Sequence, residues 1–225
     1  MKKIFTFLAV TIAFTVNAQV QHQWTNNNGS TTSSAIGSYT LATATGAFAS
    51  GKDTEATGEY SQALGYKAKA HGDKSFAIGD LTTANGSTST AMGYWTEANG
   101  GYSTSTGYFT KANGTNSTAM GYGSYANDYS SLVIGYLNSS GSTVTGSATE
   151  ANSANTLFVI GNGSQFWKRS DAFKVMANGD TTVSNDLTVG GDIVVSSDMR
   201  LKANIVSLGS TLAKLLLIDG KSYTM

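Results

Sequence analysis

The 225-residue chain carries 14 basic and 14 acidic side chains, so its formal net charge is zero, and only 12% of its residues are charged. That balance removes any electrostatic case for binding nucleic acid or an anionic membrane surface. The absence of cysteine excludes disulfides and thiolate metal sites, and two distant histidines, His22 and His71, give no basis for a metal centre or a cofactor.

The chain opens on Lys2 and Lys3, followed by an apolar run from Ile4 to Val16 and the small-residue sequence Val16-Asn17-Ala18. This is the pattern of a secretory signal peptide, residues 1–18, cut after Ala18. The run is short of the ~20 residues that cross a bilayer as a helix, so the mature chain is expected to have no membrane-spanning segment. Residues 19–32 read as a linker.

Proline is absent and glycine reaches 26. Such a composition is either a disordered linker or a regular array, and spacing decides between them. Gly37, Gly51, Gly65, Gly79, Gly93, Gly107, Gly121 and Gly135 stand 14 residues apart. Alanine follows the first seven of them five residues on, from Ala42 to Ala126. Serine precedes most of them by four, and Ile36, Leu64, Ile78, Met92, Met120 or Ile134 by one. The unit is Ser-x-Ala-apolar-Gly-Tyr-x-Thr-x-Ala-Asn-Gly-x-x, a true internal repeat.

Fourteen residues are too few for a helix pair, and the glycines oppose helix. Two strands of about five residues with turns of about two fill the unit. Asn85-Gly86, Asn99-Gly100 and Asn113-Gly114 supply turn dipeptides. Stacked units make an all-β parallel β-roll over residues 33–144, about 40 Å long at ~4.8 Å per coil. The expected interior holds one apolar side chain per coil, the residue before the phase glycine. Burying it contributes about 2–3 kcal/mol, less than ordering the coil costs, and this argues for oligomerisation.

The units "SSAIG" at 33–37 and "SFAIG" at 75–79 resemble the head repeats of the YadA-like trimeric autotransporter adhesins. The resemblance implies a left-handed roll, a homotrimer and attachment of a bacterial surface to a host or matrix protein or a glycan. Those adhesins end in a membrane-embedded barrel segment, and the alternating, aromatic-ended strands it needs are not seen here.

Tyr66, Tyr94, Tyr108, Tyr122 and Tyr136 follow the phase glycine, with Trp95 and Phe109 next to two of them. Such a ladder either binds a ligand by stacking or packs on the roll and between subunits. Thr40, Thr54, Thr82, Thr96 and Thr110 form a second column, either an outward water-ordering array or an internal or cross-strand hydroxyl ladder. Lys67, Lys69, Lys111, Glu55 and Glu97 read as solvated surface.

Residues 145–195 read as cap and stem. Leu157 to Ile160 and Ala172 to Met176 are candidate strands with Asn-Gly turns after them, and Leu187 to Val195 alternates like a stem. Trp167, Lys168 and Arg169 are either a binding spot or part of the cap.

Ser196 to Ile205, "SSDMRLKANI", resembles the start of the intramolecular chaperone that ends phage tailspikes and endosialidases. The resemblance implies self-cleavage between Ser196 and Ser197, with Ser197 as nucleophile and Lys202 as base. A lysine of lowered pKa can take a proton from a serine hydroxyl. That family continues as a much longer helical domain. Here Ser210 to Ile218 reads as one short helix stopped by Gly220. The chaperone, residues 196–225, is expected to be truncated and its site inert. The composite expectation is an exported, adhesin-like trimeric fibre, cell-surface or extracellular. A spacer fibre without a ligand and an autoproteolytic, chaperone-assembled fibre are the alternatives.

Overall fold

The computed structural model describes residues 20–21, 24–25 and 31–191. The chain divides into Met1–Asp186 and Leu187–Met225. The described part of the second unit, residues 187–191, has no regular strand, and the helix expected at 210–218 lies outside the described residues.

Each coil of the first unit contributes one long and one short strand to two parallel sheets. The long strands are Ser34–Ser38, Phe48–Lys52, Gln62–Tyr66, Phe76–Asp80, Thr90–Tyr94, Thr104–Tyr108, Thr118–Tyr122 and Leu132–Tyr136. They pair in strict register, glycine on glycine, as in Gly79 to Gly93 and Gly93 to Gly107. The short strands are Leu41–Ala42, Glu55–Ala56, Lys69–Ala70, Thr83–Ala84, Glu97–Ala98, Lys111–Ala112 and Tyr125–Ala126. The structure is therefore an all-β parallel β-solenoid of 14-residue coils, with no helix among the described residues.

The second strand has two residues rather than the expected five. Two left-handed residues per coil bracket it, such as Trp95 (φ 50°) and Tyr102 (φ 57°), and these corners consume the remaining length. The glycine phase has a steric cause. A Cβ on Gly93, itself at φ 122°, would lie 2.1 Å from the Gly107 carbonyl oxygen, and one on Gly86 would lie 1.9 Å from that of Gly100. Successive coils approach backbone to backbone at these columns.

Alanine lines most of the interior, with serines and threonines beside it and Val133 and Val159 in the last coils. Ala49, Ala63, Ala77, Ala91 and Ala119 on the long strands face Ala56, Ala70, Ala84, Ala98, Ala112 and Ala126 on the short ones, all fully buried. This corrects the expected core. The residue before the phase glycine follows the inward alanine, and adjacent residues of a strand point to opposite faces. Ile36, Met92 and Met120 are accordingly 41%, 39% and 44% exposed on the single chain. The threonine column takes the internal one of its two alternatives. Thr54, Thr82, Thr96 and Thr110 are fully buried, and only Thr40 is half-buried, so the column offers no outer array. In one coil Thr110 hydrogen-bonds Ser105 across the interior at 2.8 Å.

Beyond Tyr136 the long sheet takes one more parallel strand, Thr156–Asn162, with Gly161 opposite Gly135. The inserted segment between them hides this coil from the sequence spacing. Antiparallel strands Asp171–Met176 and Thr181–Val183 then cover the edge. At the other end Val20–Gln21 pairs antiparallel with Ser34–Ser38.

The short sheet stops at Tyr125–Ala126, and a side chain closes it. Buried Asn138 accepts from the Tyr125 amide through Oδ1 and donates to the Tyr125 carbonyl through Nδ2, each at 2.8 Å, so its amide stands in for the next strand's peptide. Asp128, buried where other coils have glycine, accepts from the backbone N–H of Thr145 (2.7 Å) and Thr156 (2.8 Å) and from the Thr145 hydroxyl. It ties the inserted segment to the roll.

Candidate interaction surface

The long sheet presents three outward columns, because its inward column is the alanine column, continued by Ser105, Val133 and Val159. The residues immediately before the phase glycine form an apolar stripe through Ile36, Leu64, Ile78, Met92, Met120 and Ile134, interrupted by Ser50 and Thr106. The residues immediately after it form the aromatic column. Tyr94 stacks on Tyr108 with centroids 5.0 Å apart and planes at 11°, and Tyr108 stacks on Tyr122 at 5.2 Å and 4°. Trp95 packs on Phe109 at 4.7 Å, and Phe109 meets the edge of Tyr108 at 4.5 Å.

Phe166, from the loop before the capping hairpin, extends the cluster. Its ring lies 5.9 Å from Phe109 and 5.6 Å from Tyr122. The neighbouring Trp167 is 83% exposed. Arg169 lies over the Tyr125 ring at 4.0 Å and donates from Nη1 to the carbonyls of Gly123 (2.9 Å) and Asn138 (3.2 Å), so it anchors this loop to the roll.

Tyr94, Trp95, Tyr108, Phe109 and Tyr122 thus come together. Tyr136 continues the column in register with Tyr122 and is 50% exposed. Tyr66 stands apart, because Asp80 occupies the coil between it and Tyr94. Lys52 and Lys67 lie over the Tyr66 ring at 5.8 and 5.2 Å. Asp80 and Phe166 were not among the residues singled out from sequence. A break in the tyrosine column at position 80 is the signal for the first; nothing local marks the second. Ser197 and Lys202 lie outside the described residues.

The outer face of the short sheet is polar and internally paired. Glu55 bridges to Lys69 at 3.3 Å and to His71 at 3.1 Å, and Glu97 bridges to Lys111 at 2.9 Å. Glu55, Lys69, Glu97 and Lys111, expected as solvated surface, are thus joined from coil to coil, while Lys67 lies over Tyr66. Partial burial raises the Glu55 carboxyl, but His71 and Lys69 outweigh it and hold its pKa below the ordinary 4.5. Beside these pairs runs an amide ladder. Asn85 donates to Asn99, Asn99 to Asn113, each at 2.7 Å, and Asn113 to Asn127; His71 meets Asn85 at 3.2 Å. Among the described residues no His, Asp and Glu cluster suits a metal ion. No helix there is long and apolar enough to cross a membrane, which says nothing of a β-barrel.

Residues 56–82, 84–110 and 112–138 match the YadA head domain repeat (2 copies). Each match spans nearly two coils. Residues 56–138 are therefore YadA head repeats folded as a parallel β-solenoid. No curated protein and no solved structure matches the chain.

Proposed function

We propose that the protein is an exported, surface-displayed trimeric fibre that mediates attachment. The observation that carries this reading is the conjunction of head repeats at 56–138 with an apolar stripe left uncovered on the long sheet. An apolar stripe left partly exposed, here broken only at Ser50 and Thr106, marks an interaction face, and identical copies related by symmetry cover one another's faces. Three copies of this chain, joined along Ile36, Leu64, Ile78, Met92, Met120 and Ile134, are the occupants proposed. In this reading residues 196–225 are a chaperone-type segment whose Ser197 and Lys202 do not cleave the chain.

Light scattering on the mature chain from residue 19 tests assembly, and binding to a panel of matrix proteins, glycans and host cells tests attachment. Three chain masses with saturable binding are expected. A well-folded monomer would overturn the trimer. A trimer that binds nothing on the panel would leave the spacer reading, which the mutual stacking of Tyr94, Tyr108 and Tyr122 favours, because those ring faces already satisfy each other. The intact mass is expected to be that of an uncut chain. A product ending at Ser196, abolished by Ser197→Ala, would assign self-cleavage instead.

A further inference from the structure

The tyrosine ladder lacks one ring. The column after the phase glycine runs Lys52, Tyr66, Asp80, Tyr94, Tyr108, Tyr122 and Tyr136. Asp80 is paired in register with Tyr66 on one side and with Tyr94 on the other. The ring contacts of Tyr94 are with Tyr108 and Phe109, both on the coil that follows it. No ring of the described residues packs against it from the Asp80 side.

Asp80 also has an unmet need. Its Oδ1 is buried and receives no hydrogen bond. The other orphaned polar atoms of the described residues are serine and threonine hydroxyls, so this is the one carboxylate oxygen among them. Asp73, Asp128, Asp171 and Asp180 each accept hydrogen bonds. The ion pairs of the described residues involve Glu55 and Glu97, and none involves Asp80. Lys67 lies 5.2 Å over the Tyr66 ring without coming within ion-pair reach of Asp80. A carboxylate oxygen removed from water without a donor is costly, and a cation relieves it.

Two coils separate the backbones of Tyr66 and Tyr94, about 10 Å at about 4.8 Å per strand. Rings spaced as their backbones are would hold a cation between them roughly 5 Å from each ring, inside the ~6 Å reach of a cation–π contact. Tyr66 already attracts two ammonium groups of its own chain. A hard metal ion wants six or more oxygen ligands, and one carboxylate does not supply them. We propose that Asp80, Tyr66 and Tyr94 form a receptor slot for an organic cation, the guanidinium or ammonium end of a side chain or a small amine. The carboxylate neutralises its charge and the two rings hold its faces. The slot goes beyond the attachment reading and does not depend on it.

The test is titration of the full mature chain with N-acetylarginine amide and with tetramethylammonium, followed by tyrosine and tryptophan fluorescence and by calorimetry. An arginine-containing peptide of ten residues distinguishes a protein side chain from a free amine, since it binds more tightly than the amide in the first case and equally in the second. Saturable binding is expected, with none for the neutral isostere N-acetylcitrulline amide. Asp80→Asn is expected to weaken it at least about tenfold. Asp80→Tyr, which inserts the missing ring, is expected to abolish it while leaving the circular dichroism spectrum unchanged and the melting temperature no lower. Absence of saturable cation binding by the natural chain, or equal binding by Asp80→Tyr, overturns the proposal. A fall in native mass on Asp80→Asn also overturns it, since the cation would then belong to a neighbouring copy. The native mass of the unsubstituted chain reports separately on the trimer.

Discussion

The two sheets of the roll hold their coils together by different means. The long sheet relies on backbone: five residues pair in each coil, the glycine column lets the chains approach, and the stack runs on into Thr156–Asn162 and a closing hairpin. The short sheet pairs two residues per coil and adds side-chain ladders, the asparagines from Asn85 to Asn127 and the Glu–Lys bridges. It also ends on side chains, Asn138 and Asp128. The outer surfaces follow suit. The short sheet satisfies its polar groups within one chain, while the long sheet leaves isoleucine and methionine uncovered. A single solenoid is thus finished on one side and unfinished on the other, and the unfinished side is where a partner adds most.

Substitutions can break this contrast at different levels. Gly93→Val should be the most damaging, because it drives a Cβ into the Gly107 carbonyl at a positive φ. A loss of about 4 kcal/mol or more is expected, read as collapse of the thermal transition. Asp128→Gly restores the residue that other coils carry at this place, yet it should cost about 3 kcal/mol, since the buried Thr156 N–H and the part-buried Thr145 N–H lose a charged acceptor. Hydrogen exchange should show Thr145 and Thr156 losing protection first; unchanged protection would mean Asp128 is dispensable.

Met120→Lys probes the unfinished face. It should lower the native mass measured by light scattering while the solenoid's circular dichroism persists. A trimer that survives it removes this stripe as the interface. Asn99→Ala interrupts the amide ladder and should cost about 1 kcal/mol, because its partners are partly solvated. Glu55 gives the smallest effect. Its folded pKa is below the ordinary 4.5, so its contribution is present above that value and is lost as pH falls through the lowered one. Partial exposure keeps it small. Glu55→Gln should flatten the loss of stability as pH falls below 4.5, relative to the natural chain.

The repeat made much of the architecture legible before any coordinates. Gly37 to Gly135 at a constant spacing, with Ala42 to Ala126 behind them, require stacked coils, since only stacking puts like residues over like. The direction of each column was less legible. Ile78 looks like core by hydropathy, yet it must face outward once Ala77 faces inward, because adjacent strand residues point to opposite faces. For the threonines spacing left both an outer array and an internal ladder open, and closure of the coil turned them inward. In the interaction surface, the tyrosine column was readable by spacing. Phe166 was not, because it comes from a loop brought to Phe109 and Tyr122 by folding.

By itself, then, the sequence determined the coil length, the parallel stacking and the identity of each column, because a translational repeat writes its period directly into the chain. Tertiary structure alone decided which columns turn inward, where Gly161 rejoins the phase, how Asn138 and Asp128 close the short sheet, and that Asp80 is left between two tyrosines with no donor. These depend on the closure of the coil in cross-section and on contacts between residues far apart in the chain, which periodicity along the chain does not encode.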